Sequence, residues 1–166
     1  RDIIVGAAFD NNLLCIGEKQ IFVVDAVFDE FMAQMARHGG YQLNREQLRR
    51  LAGEAFSDSK DAGGCSQKVL NRDFIGVDAS VLGKAAGVNA PDNTLVLFAE
   101  APFTCPFVQK EQMMPMLPVV RVADVDEAIA KAKESEHGYK HSALMHSQHI
   151  GNLTKMGQEM DCTLFV

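Results

Sequence analysis

The stretch Gln20-Ile-Phe-Val-Val-Asp-Ala-Val-Phe-Asp-Glu-Phe-Met-Ala-Gln-Met35 runs from a β-rich segment straight into a helical pattern, and this junction decides the fold class. Gln20 to Val24 is built of β-formers. Asp25 then stands where a helix N-cap belongs, and Phe28, Phe31, Met32 and Met35 fall on one helical face. Gly39-Gly40 ends that helix. Downstream, Asn44 with Gln47 three residues on has the spacing of a capping box, and Leu48, Leu51, Ala52 and Ala55 line one side of the helix it opens. Residues 57–66 are small and polar and are expected to form a loop.

The alternation continues. A short helix is expected from Asp78 to Ala86, and Thr94 to Ala99 reads as a buried strand bounded by Pro91 and Pro102. Ala101 to Pro118 holds four of the five prolines and is expected to be an irregular connection over the surface. Leu117 to Val122 is a further strand. Asp124 and Glu127 cap a helix that carries Ala128, Ile129 and Ala132. Ser142 to His146 is another strand, Ser147 caps a helix through about Met160, and Cys162 to Val166 begins a last strand. Strands alternating with helices imply an α/β fold: a mainly parallel sheet with helices on both faces, incomplete as it stands. With no repeat and no linker, residues 1–166 are expected to be one domain.

Composition narrows the function class. Sixteen Lys and Arg against 22 Asp and Glu give a net charge of −6, which argues against broad nucleic-acid binding. Hydrophobic residues make up 47% and charged residues 23%, enough apolar material for a substantial core without disulfides. Cys15, Cys65, Cys105 and Cys162 match no CxxC pattern and read as reduced thiols of a cytosolic protein. The longest unbroken apolar run, Leu95 to Ala99, is far too short to cross a bilayer. Ile3 to Phe9 lacks the features of a secretory leader, and an opening at Arg1-Asp2 suggests a piece of something longer.

Several residues could carry chemistry. Gly76 to Gly83-Lys84 fails as a phosphate loop, because its glycines are too far apart and Ala85 stands where Ser or Thr is needed. No GxGxxG occurs, so a self-contained dinucleotide site is absent from the pattern. His137, His141, His146 and His149 cluster, yet Gly138-Tyr139 interrupts the one helical spacing, and the pattern favours loop or core histidines over a metal site. Among the thiols, Cys65 and Cys162 look structural and Cys105 looks wedged between proline and aromatics. Cys15 differs: it follows Asp10-Asn11-Asn12, polar groups able to orient an oxyanion, and precedes Gly17 and Lys19, whose charge would favour a thiolate. On these features alone a small packed residue remains open as the alternative.

Read as a unit, Phe9-Asp-Asn-Asn-Leu-Leu-Cys-Ile-Gly-Glu-Lys19 closely resembles the nucleophile motif of the CoA-acylating aldehyde dehydrogenases, in particular the acetaldehyde and propionaldehyde dehydrogenases of ethanolamine and propanediol utilisation microcompartments. A second block, Glu111-Gln-Met-Met-Pro-Met-Leu-Pro-Val-Val-Arg-Val122, resembles the family segment whose glutamate holds the nicotinamide ribose, with Met113 where Phe is usual. A third, His137-Gly-Tyr-Lys-His-Ser-Ala-Leu-Met-His-Ser147, is similar to the stretch before the last catalytic-domain strands. Ile16-Gly17-Glu18-Lys19 replaces the Gly-Ser-Arg type sequence that follows the nucleophile in the hydrolytic relatives, which favours the acylating branch.

The resemblance implies that the Cys15 thiolate attacks a short-chain aldehyde, that NAD takes up the hydride with Glu111 and Met113 at the cofactor, and that coenzyme A discharges the thioester. No metal is implied. It further implies a catalytic, nucleophile-bearing domain without its N-terminal cofactor-binding domain, and therefore little activity in isolation. The full-length form would be a homo-oligomer in the bacterial cytoplasm, within a microcompartment lumen and in possible contact with its shell. Two alternatives stand beside it: a non-catalytic α/β binding or assembly module, and the aldehyde half of a bifunctional aldehyde–alcohol dehydrogenase.

Overall fold

The computed structural model describes the backbone of residues 1–60 and 66–166, and side chains outside 58–68. A helix α1 (Asp2–Ala8) and a tight turn over Phe9–Asn12 lead to strand β1 (Ile21–Val24) and helix α2 (Asp25–Arg37). Then come β2 (Gly40–Gln42), α3 (Arg45–Ala55), β3 (Phe56–Lys60), β4 (Ser66–Leu70), α4 (Ala79–Ala86), β5 (Val96–Glu100), α5 (Pro106–Gln109) and β6 (Met116–Val122). The chain closes with α6 (Val125–Ser135), β7 (Ser142–Ala143), α7 (Ile150–Met160) and β8 (Leu164–Phe165).

Four strands form the central sheet in the order β1-β6-β5-β2, every pair parallel. The mixed α/β class with a mainly parallel sheet is thus what the sequence pattern implies. Both faces are covered, as an all-parallel sheet requires. Ile21, Val23, Val96, Phe98, Leu117 and Val119 meet α1 and α2, with Phe28, Met32 and Met35 buried between. Residues one place along each strand point the other way: Leu97, Ala99, Met116, Val120 and Val122 pack on α3, α4 and α5. A smaller cluster of Ile129, Ala143, Met156 and Met160 joins α6 to α7.

Local signals hold unevenly. The Asn44–Gln47 capping box is complete, with both reciprocal bonds made. Asp124 caps α6 by accepting from the Glu127 N–H, while the Glu127 carboxylate reaches back to Ala123 N–H. Asp25, however, caps nothing: it is the first residue of α2, and its carboxylate accepts from Arg121 at 2.7 Å. Arg121 also holds Asp29 at 2.7 Å and lies over the Phe28 ring, so a cross-sheet ion pair displaces the local cap. Likewise α7 is capped by His149, whose Nδ1 accepts from Asn152 N–H, whereas Ser147 Oγ accepts from His149 N–H.

Other elements depart from expectation. Instead of a loop over 57–66, Phe56–Lys60 and Ser66–Leu70 pair as an antiparallel hairpin in the register Phe56↔Leu70, so a backbone ladder overrides weak β-propensity. Residues 61–65, with Cys65 among them, lie outside the described residues. The Ala101–Pro118 connection is not a surface excursion: it contains α5 and buries Phe107, Val108, Met114 and Pro115, with Phe107 edge-on to Phe56 at 4.9 Å. The strands expected at 142–146 and 162–166 shrink to two residues each, paired with one another rather than joined to the central sheet. That small sheet leaves Leu164 and Val166 exposed. Strand β2 had no signal beyond Tyr41 and is made by pairing with β5.

A braced cysteine loop and its neighbours

Cys15 lies exposed in the loop between α1 and β1. Asp10, Asn11 and Asn12 all adopt positive φ, at 49°, 51° and 62°. Three consecutive non-glycine residues in the left-handed region are costly, and Asn and Asp are the side chains that tolerate it best. Such a backbone persists only when its surroundings hold it.

The surroundings are specific. Asn12 is 1% exposed; its Nδ2 donates to the Glu18 carbonyl at 2.9 Å. Lys19 Nζ donates to both oxygens of Asn12, the main-chain one at 2.5 Å and Oδ1 at 3.1 Å. Asn11 Nδ2 donates to the Gly76 carbonyl at 3.0 Å and to Asp78 Oδ1 at 2.9 Å. These amides therefore fold the loop: both hydrogens of the Asn11 amide are engaged, and that of Asn12 is buried under Lys19. The sequence reading of them as oxyanion-orienting groups is corrected accordingly.

Lys19 is held below the usual lysine range by burial, which disfavours its charge. The negative charges of Glu111, Cys15 and Glu18 oppose that effect, in decreasing order. Glu18 is pushed up, again chiefly by burial, against its own backbone N–H, His146 and Lys19. Its carboxylate lies against Gly6, where a Cβ would collide with it. Three acidic groups from two parts of the chain thus act on one lysine four residues from the thiol.

The second block arrives through the strap before β6. Glu111 is exposed and Met113 half-buried. Gly76 ties the strap to the loop: its N–H donates to the Met113 carbonyl at 2.9 Å, while its carbonyl accepts from Asn11. Gly76, Asp78 and Gln112 are contributors that sequence reasoning missed. Only Gly76 carried any signal, and that was a glycine rejected as part of a phosphate loop. Since β1 begins at Ile21 and β6 at Met116, the site lies at the amino ends of these strands, opposite the carboxyl-end crevice where doubly wound sheets bind nucleotides.

The remaining candidates disperse. His137 Nε2 pairs with the Gln109 carbonyl at 3.0 Å and His141 Nδ1 with Ser142 Oγ at 3.1 Å, while His149 caps α7. Among the described residues no three His, Cys, Asp or Glu side chains converge. Cys105 is buried at the head of α5, and burial pushes its thiol up. Cys162 donates to the Leu164 carbonyl just before an exposed strand. Among the described residues no helix is long and apolar enough to cross a membrane.

No family model matches the chain. Individual relatives do. The acetylating acetaldehyde dehydrogenase EutE of Salmonella typhimurium is 42% identical over 166 residues, covering all of this chain and 35% of that protein. A solved propionaldehyde dehydrogenase from the fucose utilisation microcompartment of Clostridium phytofermentans superposes with a TM-score of 0.88 at 35% identity, over 99% of this chain and 36% of that one. The propionaldehyde dehydrogenase of Rhodopseudomonas palustris, solved with bound CoA and an acylated cysteine, gives 0.87 at 36% identity over 99% and 36%. The chain spans about a third of the length of these relatives. In sequence and in fold alike, the chain is similar to one part of the CoA-acylating aldehyde dehydrogenases.

Proposed function

We propose that this chain is the nucleophile-bearing part of an enzyme that oxidises a short-chain aldehyde, acetaldehyde or propionaldehyde, to its acyl-CoA with NAD and coenzyme A. The observation that carries the reading is an exposed thiol on a loop whose strained backbone is fixed by part-buried hydrogen bonds, with a half-buried lysine beside it. A scaffold would gain nothing from holding a loop in that conformation. Residues 1–166 are proposed to act as one such unit.

Cys15 Sγ, as thiolate, attacks the aldehyde carbon, and the carbonyl π electrons move onto oxygen. The Cys15 backbone N–H is one donor to that oxyanion, and one well-placed donor is typically worth about 3 to 4 kcal/mol. Lys19 keeps the loop folded through Asn12 and supplies positive potential near the sulfur. An oxidised nicotinamide nucleotide supplies the acceptor for the hydride that leaves the former aldehyde carbon. Glu111 suits the ribose: an exposed carboxylate only accepts hydrogen bonds, and a ribose diol donates two. Half-buried Met113 offers an adaptable apolar contact beside it. Collapse of the tetrahedral adduct leaves a thioester on Cys15, and attack by the CoA thiolate on that carbonyl releases the Cys15 thiolate and forms acyl-CoA.

The microcompartment relative supports a location in a bacterial microcompartment lumen. The deciding experiment takes the protein at its full natural length, with acetaldehyde and propionaldehyde, NAD or NADP, and with or without CoA. NADH formation should rise with CoA, and chromatography after quenching should find acyl-CoA. Free carboxylic acid as the dominant product, at a rate indifferent to CoA, would place the enzyme with the hydrolytic relatives.

A further inference from the structure

Gln112 is a glutamine with no accessible surface, set between the exposed Glu111 and the half-buried Met113. Its Nε2 donates to the Lys19 carbonyl at 2.5 Å, 93 residues away, and to the Met116 carbonyl at 3.0 Å. Among the described residues its Oε1 has no partner. The two acceptors fix which end of the amide is nitrogen, since a flipped amide would set oxygen against two carbonyls. The Lys19 and Met116 carbonyls take their donor from this amide, which an apolar side chain of the same size could not supply, and the unpartnered Oε1 is the cost of supplying it. The amide therefore does something that a core residue would not.

Its place says what. Lys19 closes the nucleophile loop, and its ammonium holds both oxygens of Asn12. Met116 opens β6, and Glu111 immediately precedes the glutamine. One side chain thus ties the end of the Cys15 loop to the strap that carries Glu111, at the amino edge of β1 and β6. Gly76 makes a second tie between the same pieces through main-chain and Asn11 bonds.

We infer that Gln112 is a positioning residue, setting the separation between the thiol that holds the substrate and the carboxylate proposed to hold the nicotinamide ribose. This inference rests on the function proposed above. Gln112 touches neither substrate nor cofactor; it acts through Lys19 and Glu111. Hydride transfer is steep in donor–acceptor geometry, and a displacement near one ångström can cost about 100-fold in rate.

The test uses the full-length enzyme with Gln112→Met and Gln112→Leu, which stay close to the size of the side chain and carry no donor. Single-turnover hydride transfer should fall about 100-fold in each, and KM for the nicotinamide nucleotide should rise. Alkylation of Cys15 by iodoacetamide should stay within about twofold of wild type, because the thiol is exposed, and the folded fraction by circular dichroism should be unchanged. Gln112→His, which keeps a ring N–H donor, should recover part of the hydride-transfer rate while Gln112→Met does not. An unchanged hydride-transfer rate in Gln112→Met would overturn the inference. So would losses in hydride transfer and alkylation that merely track the unfolded fraction. Cys15→Ser run alongside separates the two readings: full activity there removes the proposed function itself, whereas an inactive Cys15→Ser with a normal Gln112→Met removes only the role of Gln112.

Discussion

Gly17→Ala tests whether the cysteine loop is as tightly held as its hydrogen bonds imply. Gly17 has no need of positive φ, so the backbone accepts alanine and the perturbation is steric. A Cβ built there lies 2.6 Å from Asn12 Oδ1 and 3.3 Å from the Leu14 carbonyl. An ordinary carbon–oxygen contact is about 3.3 Å, so the Asn12 amide must retreat by roughly 0.7 Å. Asn12 is buried and bonded at both ends, to Lys19 and to the Glu18 carbonyl, and cannot move that far with both bonds intact. Overpacking costs about 1 to 3 kcal/mol. Loss of one bond to a charged group adds about 1.5 to 3. The stiffer unfolded chain returns about 0.4 to 1. The expected net loss is about 1.5 to 5.5 kcal/mol, which lowers the urea midpoint by about 1 to 3 M. Gly53→Ala is the control: it is exposed in α3 with nothing within 4 Å of a built Cβ, and should gain about 0.5 to 1 kcal/mol. Urea unfolding followed by circular dichroism compares the two. A Gly17→Ala midpoint equal to wild type, with Gly53→Ala behaving as stated, would mean that the loop yields freely and that the bracing has little energetic weight.

Cys15→Ser should lower aldehyde-dependent NADH formation at least about 10³-fold with an unchanged circular dichroism spectrum; near-normal turnover would remove Cys15 as the acylated residue. In Glu111→Gln the thiol should alkylate as in wild type while hydride transfer slows, and an equal hydride-transfer rate would return Glu111 to the surface. Glu18 carries a raised carboxyl pKa from burial, so between 4.5 and its folded value the native state binds more protons than the unfolded one, and stability falls as pH rises through that window. Glu18→Gln should accordingly raise the thermal midpoint at pH 7 and lose that advantage below pH 4.5, where both side chains are neutral in both states; an equal gain at pH 4 would assign the effect to packing.

What the sequence determined by itself was local or periodic. The run of β-formers at Ile21–Val24, the apolar face of Phe28, Met32 and Met35, and the reciprocal capping at Asn44 are dictated by residues a few positions apart, and they sufficed for an α/β class with a parallel sheet. The motif around Cys15 was equally visible, because it is contiguous. Tertiary structure decided the rest. Asp25 left its capping position for Arg121, which arrives 96 residues later, and residues 57–60 entered an antiparallel pair with 66–69 because pairing satisfies their backbone. Asn11 and Asn12, chemically suited to hold an oxyanion, were turned to bracing by Gly76, Asp78 and Lys19. The bond from Gln112 to Lys19 spans 93 residues and has no periodicity or spacing to announce it. A side chain's partners depend on which distant backbone groups the fold buries beside it, and one-dimensional pattern contains that only where the partners are neighbours in the chain.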